Sequence, residues 1–209
     1  MTPKVVVLDY GSGNLRSAER ALARAGADVA VTADLHAAAE CDGLVVPGVG
    51  AFAACMAGLR GIGGEKVIAS RVEARRPVLG ICVGMQVLFA RGVEFGLEAE
   101  GCGVFPGTVD RLDAPVLPHM GWNTVAAPAD SVLFSGIADG TRFYFVHSFA
   151  LRMRDAAPLL SAGAKLTVTE HGEPFAAAVE SGAVAATQFH PEKSGDAGAQ
   201  VLSNWLGTL

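Results

Sequence analysis

"RRPVLGICVGMQVLFA", residues 75–90, is the stretch from which the rest of the chain can be read. Two arginines and a proline give way to a short apolar run, which suits a strand buried on both faces. The run ends in Gly80-Ile81-Cys82-Val83-Gly84, and from Val83 to Gly92 the apolar spacing predicts a helix. Glycines on both sides of one cysteine fit a turn too tight for flanking side chains, with the thiol raised at the strand's carboxyl end. A buried strand passing directly into a helix is half of a β-α-β unit, so the neighbouring segments should repeat the pattern.

They do so toward the N-terminus. "KVVVLD" (4–9) reads as a strand, "GSGN" as a turn, and "LRSAERALARAG" as a helix closing on Gly26. "DVAVTA" is a second strand, with Asp34 placed to cap a short helix after it. "DGLVVPGVGAF" is a third strand running into Pro47-Gly48-Val49-Gly50, and residues 51–75 are mostly helical, interrupted at "GIGG". Beyond Gly92 helices become few. "GCGVFPGTVDRL", "TRFYFVHSFAL", "AKLTVTEHG", "PFAAAVESG" and "AVAATQFHP" read as strands, and "AGAQVLSNWLG" as a last helix. The expected fold is α/β: an open, mostly parallel, flavodoxin-like sheet with helices on both faces and antiparallel or mixed strands added in the second half. With 209 residues, 51% of them hydrophobic, the chain suits one domain spanning 1–209.

Composition narrows the function. A net charge of −5 and scattered Lys and Arg argue against a nucleic-acid surface. No apolar run approaches a membrane span, and "MTPKVVVLDYG" lacks the pattern of a secretory signal. Cys41, Cys55, Cys82 and Cys102 form no Cys-x-x-Cys and no zinc spacing with histidine. Reduced thiols in a cytoplasmic protein without a metal or other cofactor are the simplest reading.

In an open parallel sheet, sites lie beyond the carboxyl ends of the strands, where Cys82 falls. The N-terminal N–H groups of the following helix favour a thiolate. The Val83 N–H could also face an oxyanion, joined by the N–H of Gly48 or Val49 from "VVPGVG". A base is needed, and among five histidines His190 stands out in "ATQFHPEKS". The residue before proline is biased to extended geometry, so His190 and Glu192, at i and i+2, would point the same way. That arrangement supplies nucleophile, base and orienter. Each part also has a plainer reading: a core cysteine at a glycine turn, a surface His-Pro-Glu turn, a simple Pro-Gly-Val-Gly turn. A zinc deaminase shares His-x-Glu but needs a Pro-Cys-x-x-Cys that is missing. The "GSGN" turn lacks both a full Gly-x-Gly-x-x-Gly and a Walker lysine.

Taken together, Gly80-Ile81-Cys82-Val83-Gly84-Met85-Gln86 and His190-Pro191-Glu192 resemble the class I, or triad, glutamine amidotransferases. "DYGSGNLRS" (9–17), "PGVGAF" (47–52), "HMGWN" (119–123), "FYFVHSF" (143–149) and "FHPEKS" (189–194) resemble, within that class, the glutaminase subunits of imidazole glycerol phosphate synthase from histidine biosynthesis.

The resemblance implies that Cys82, His190 and Glu192 hydrolyse glutamine through a thioester. Val49, Val83 and Gly48 would serve the oxyanion, and Gly50, Gln86, Ser148 and Phe149 would bind glutamine. The implied partner is a (β/α)8-barrel cyclase. It receives the ammonia and makes imidazole glycerol phosphate and an aminoimidazole carboxamide ribonucleotide. Asn14, Trp122, Tyr144 and Lys193 fall where such subunits meet it, although Trp122 and Tyr144 also suit a core and Lys193 a solvated charge. Because these subunits are nearly silent without the partner and its ligand, a peptide rotation near Val49 is expected to complete the oxyanion hole. Full ligand-stimulated turnover in a Gly50→Pro variant would count against it. The nearest competing readings are the glutaminase of anthranilate, GMP or pyridoxal phosphate synthesis, or an α/β protein with an elbow cysteine and no glutaminase role.

Overall fold

The computed structural model describes all residues, 1–209. In chain order it contains β1 (Lys4–Leu8), α1 (Leu15–Arg24), β2 (Asp28–Thr32), α2 (Leu35–Glu40) and β3 (Gly43–Gly48). Next come α3 (Phe52–Ile62), α4 (Gly64–Glu73), β4 (Val78–Cys82), α5 (Val83–Gln86), β5 (Phe89–Glu94), β6 (Leu97–Glu100) and β7 (Phe105–Arg111). The remainder is β8 (His119–Thr124), β9 (Arg142–His147), β10 (Phe149–Ala150), α6 (Ala157–Ser161), β11 (Lys165–His171), β12 (Glu173–Ser181), β13 (Val184–Thr187) and α7 (Gly195–Leu206).

The main sheet has seven strands in the order β11-β12-β13-β4-β3-β1-β2. The five from β13 to β2 are parallel, and β12 and β11 extend the sheet antiparallel. The expected parallel core with antiparallel additions is therefore present. From β1 the chain moves outward to β2, then reverses across β1 to β3 and on to β4. With right-handed crossovers, that reversal places α1 on one face and α2, α3 and α4 on the other. In agreement, α7 packs beside α1, and α2 beside α4. Asp34 caps α2 as expected, accepting from the His36 and Ala37 N–H groups. Gly63 breaks the helical region between α3 and α4.

The helix expected from Val83 to Gly92 is not formed. It stops at Gln86 after four residues, and Phe89–Glu94 becomes β5. This strand pairs with β6 and β7 in a second, four-stranded sheet, β10-β7-β5-β6. The apolar positions of 87–93 suit either element, and the tertiary partner decides: Phe89 packs against Phe105 of β7 inside the core. A third pair, β8 and β9, joins "HMGWN" to "FYFVHSF". Alternation along this pair buries His119, Phe143, Phe145 and His147 and leaves Met120 and Trp122 outside.

One buried cation has no counterpart in the sequence reading. Arg71 of α4 is almost fully enclosed. Its guanidinium donates to the carbonyls of Ala38, Ala39, Cys41, Asp42 and Pro77, at 2.9–3.1 Å. These include carbonyls at the end of α2, which a helix of six residues cannot satisfy internally. No helix of the molecule is long and apolar enough to cross a membrane.

Candidate active site

Cys82 is the last residue of β4, and its backbone lies at φ 57, ψ −115, a conformation that L-residues seldom hold. Strain of this kind costs about 1–3 kcal/mol and persists only where the surroundings enforce it. The enforcement is close packing of α5 on β3 and β4. A Cβ on Gly84 would overlap the carbonyl oxygen of Val46, and one on Gly80 would lie 2.7 Å from the Gly84 oxygen. The two glycines therefore flank the cysteine for the steric reason expected. In the parallel register Gly48 sits opposite Cys82, which puts "PGVG" beside the elbow.

His190 follows β13, the strand on the other side of β4. Its backbone is extended, but Pro191–Lys193 forms a 3-10 turn, so the expected extended run through Glu192 is not observed. Proline accounts for this: its fixed φ suits the first position of a helical turn. The turn still brings Glu192 Oε1 to 2.7 Å from His190 Nδ1, with both side chains buried. The loop is anchored to β9. The His190 N–H donates to the Tyr144 carbonyl, and the Ser194 hydroxyl, which accepts from the Tyr144 N–H, donates to the His190 carbonyl. Burial opposes a charge on His190, but hydrogen bonding and negative charge at the adjacent Cys82 sulfur and the Glu192 carboxylate outweigh it and raise its pKa to about 9. The free Nε2 is buried and has no hydrogen-bond partner.

Cys82 and His190 line one cavity of about 210 Å³, together with Val49, Gly50, Val83, Gln86, Glu94, Ser148, Phe149 and Lys193. Gln86 does not point freely into it: its Nε2 donates to the Phe149 carbonyl (2.8 Å) and to Gln188 Oε1 (3.0 Å). Val49 is held from the first turn of the chain. Its N–H donates to Ser12 Oγ at 3.2 Å, and its carbonyl accepts from that hydroxyl at 2.8 Å and from Cys55 Sγ at 3.3 Å. Tyr10 hydroxyl donates to the Pro47 carbonyl.

A family model for class I glutamine amidotransferases matches residues 6–208. The chain belongs to that family. Among its relatives, the Nocardia farcinica protein named imidazole glycerol phosphate synthase subunit HisH is 69% identical, covering all of both chains. The proteins of that name from Thermobifida fusca and Streptomyces coelicolor are 63% and 61% identical; the alignments cover 100% of this chain and of the first, and 99% of this chain and 94% of the second. Solved structures share the fold at lower identity. One glutamine amidotransferase superposes with a TM-score of 0.75 at 21% identity, covering 98% of this chain and 99% of that one. The glutaminase domain of Trypanosoma brucei CTPS gives 0.68 at 17%, covering 98% and 92%.

Three residues of this amidotransferase's site are not among those that the sequence motifs single out. Glu94 is the only carboxylate besides Glu192 near the cavity; its Oε2 accepts from the Phe52 N–H at the start of α3 (3.0 Å), and burial raises its pKa. The sequence pattern places residue 94 beyond a helix that does not form, and so away from the elbow. Gln188, whose Nε2 is 3.8 Å from Cys82 Sγ, sits two residues before His190 and could have been found by strand alternation. Ser12 lies in "GSGN", which by its composition is only a turn. Asn14 stands at the N-cap position of α1, but its side chain makes no capping bond and is exposed; the helix is held instead by its carbonyl. Trp122 is 52% exposed and meets Tyr144 edge to face across the β8–β9 pair.

Proposed function

We infer that this chain is the glutaminase subunit of an imidazole glycerol phosphate synthase. It hydrolyses glutamine to glutamate and ammonia and supplies the ammonia to a cyclase subunit in histidine biosynthesis. The carrying observation is the convergence of Cys82 and His190 on one cavity at the carboxyl ends of the central strands, with Glu192 bonded to the histidine.

Cys82 Sγ attacks the side-chain amide carbon. His190, held by Glu192, keeps the thiol proton and passes it to the leaving nitrogen, so that ammonia departs and a thioester remains. Water then adds to the thioester, with His190 taking its proton and returning it to sulfur, and glutamate leaves. The Val83 N–H, first in α5 and without an intrahelical acceptor, is one oxyanion donor. Glu94 pairs with the α-ammonium of glutamine, while Gly50, Ser148 and Phe149 present main chain to the rest. Gln86 acts on the substrate through the Phe149 main chain that it holds.

The second oxyanion donor, Val49 N–H, is engaged with Ser12 in this structure. Turning it toward Cys82 rotates the Gly48–Val49 peptide, for which Gly48 supplies freedom. Gly50 sits at φ 89, which proline cannot adopt, so a change at Ser12 isolates the latch more cleanly than Gly50→Pro. Partner-dependent turnover follows if docking releases it.

The partner we propose is a (β/α)8-barrel cyclase, docking over Met120, Trp122, Tyr144 and Lys193 on the cavity side, with Asn14 at the rim. The exposed Met120 and Trp122 supply an apolar surface beside the site. The test is glutamate release from glutamine by the purified chain, alone and with the cyclase and its nucleotide substrate. Cys82→Ala should lower the stimulated rate at least about a thousandfold with folding intact. Glutaminase activity surviving in that variant would overturn the reading.

A further inference from the structure

The two motifs that mark this chain most distinctly, "HMGWN" and "FYFVHSF", carry histidines that the triad does not use. His119 and His147 face each other across the β8–β9 pair, with His119 Nδ1 3.1 Å from His147 Nε2. Both are buried. The protons of the surrounding network can be placed one after another. Thr124 N–H donates to Asn123 Oδ1, which fixes the other amide atom as Nδ2. Asn123 Nδ2 reaches the Glu170 carbonyl (2.9 Å) and His119 Nε2 (3.3 Å), so its two hydrogens are both used. At the far end His147 Nδ1 is 3.0 Å from the Phe149 carbonyl, which can only accept. His147 therefore carries its proton on Nδ1, its Nε2 accepts, and the donor to it is His119 Nδ1–H. His119 Nε2 is then bare and accepts from Asn123. The network closes with one proton per contact and with both rings neutral.

Neutral rings agree with their surroundings. Burial, then the neighbouring histidines, lowers the pKa of His119 to about 4 and that of His147 to about 3. The Phe149 carbonyl that terminates the relay also accepts from Gln86, which in turn donates to Gln188, whose amide approaches Cys82. Two runs of hydrogen bonds thus meet at this carbonyl, one from the loop side of β8 through the two histidines and one that leads from Gln86 through Gln188 to the nucleophile.

We propose that Asn123, His119 and His147 are positioning residues for glutamine: through one proton order they fix the Ser148–Phe149 main chain, and with it Gln86 and Gln188, against Cys82. The proposal rests on the glutaminase reading. His119 does not line the cavity, so its effect on substrate must pass through His147. Removing its donor leaves His147 Nε2 buried and unpaired, which loosens the binding wall more than the triad.

The test uses the full-length chain with the cyclase subunit and its nucleotide substrate, and glutamine as the varied ligand. His119→Phe, which keeps ring volume and removes both nitrogens, should raise KM for glutamine roughly five- to fiftyfold while kcat changes less than about threefold. His119→Asn, whose amide nitrogen overlies Nδ1, should recover KM to within about threefold of the parent. Independently, nitrogen NMR of the parent protein should show His119 and His147 as neutral Nδ1–H tautomers at pH 7. An imidazolium or an Nε2–H form at either ring, or an unchanged KM in a folded His119→Phe variant, overturns the proposal. If the parent complex itself releases no glutamate, the glutaminase reading fails instead, and the tautomer result still decides the proton order.

Discussion

Cys82 is held in a strained conformation, and His190 beside it is held charged by two neighbours against the effect of burial. The sign of the pH effect follows. A histidine raised from 6.5 in the unfolded chain to about 9 contributes stability in full below pH 6.5, and that stability is lost as the pH rises through 9. The contribution is at most about 3 kcal/mol. Melting temperature should therefore fall between pH 6.5 and 9, and less steeply in Glu192→Gln; equal slopes would count against the pairing. Two further residues have separable effects. Glu94→Gln should raise KM for glutamine about 10- to 100-fold with little change in kcat, because it removes one charge-assisted bond made equally in ground and transition states. Ser12→Ala frees the Val49 peptide from its hydroxyl contacts. At about 1 kcal/mol for each of the two contacts it should raise partner-free glutaminase activity up to about thirtyfold and leave the stimulated rate nearly unchanged. A partner-free rate equal to that of the parent would exclude the latch.

Among the elements, the short α5 shows how close packing is written into glycine. Its approach to β3 and β4 leaves no space for side chains at Gly84 and Gly80, and this much was legible from "GICVG". Its length was not legible. Residues 87–92 present apolar groups at positions that serve a helix or a strand equally, and only pairing with β6 and β7 resolves them. The β5–β6 hairpin escaped for a related reason: its turn is Phe95-Gly96, with positive φ at both, where Asn-Gly would have announced it. Arg71 was equally silent, since a lone arginine on a helix reads as a surface charge. With its guanidinium serving five carbonyls, Arg71→Ala should destabilise the chain by more than about 3 kcal/mol, measured by urea unfolding, and Arg71→Lys by less. A small effect in Arg71→Ala would show that water replaces the donors.

On a larger scale, the cavity and the exposed face of β8 and β9 adjoin. Val146 lines the cavity and is paired with the exposed Met120, and Trp122 is paired with Tyr144. A partner seated on that face would bear directly on the strand that carries His147 and anchors His190. Trp122→Ala should weaken assembly with the cyclase about tenfold or more by titration, while glutamine binding to the isolated chain stays the same. Unchanged assembly would move the interface elsewhere.

The order of strands and helices through β4, the elbow and its thiol, and the pairing of His190 with Glu192 were set by local sequence: each depends on residues within a few positions, where turn sterics and side-chain spacing act directly. What brings Cys82 to His190, Ser12 to Val49, Glu94 to the cavity and His119 to His147 is the crossing of strands far apart in the chain. No local pattern encodes those meetings, because they are fixed by which apolar surfaces pair when the sheets close around a common core.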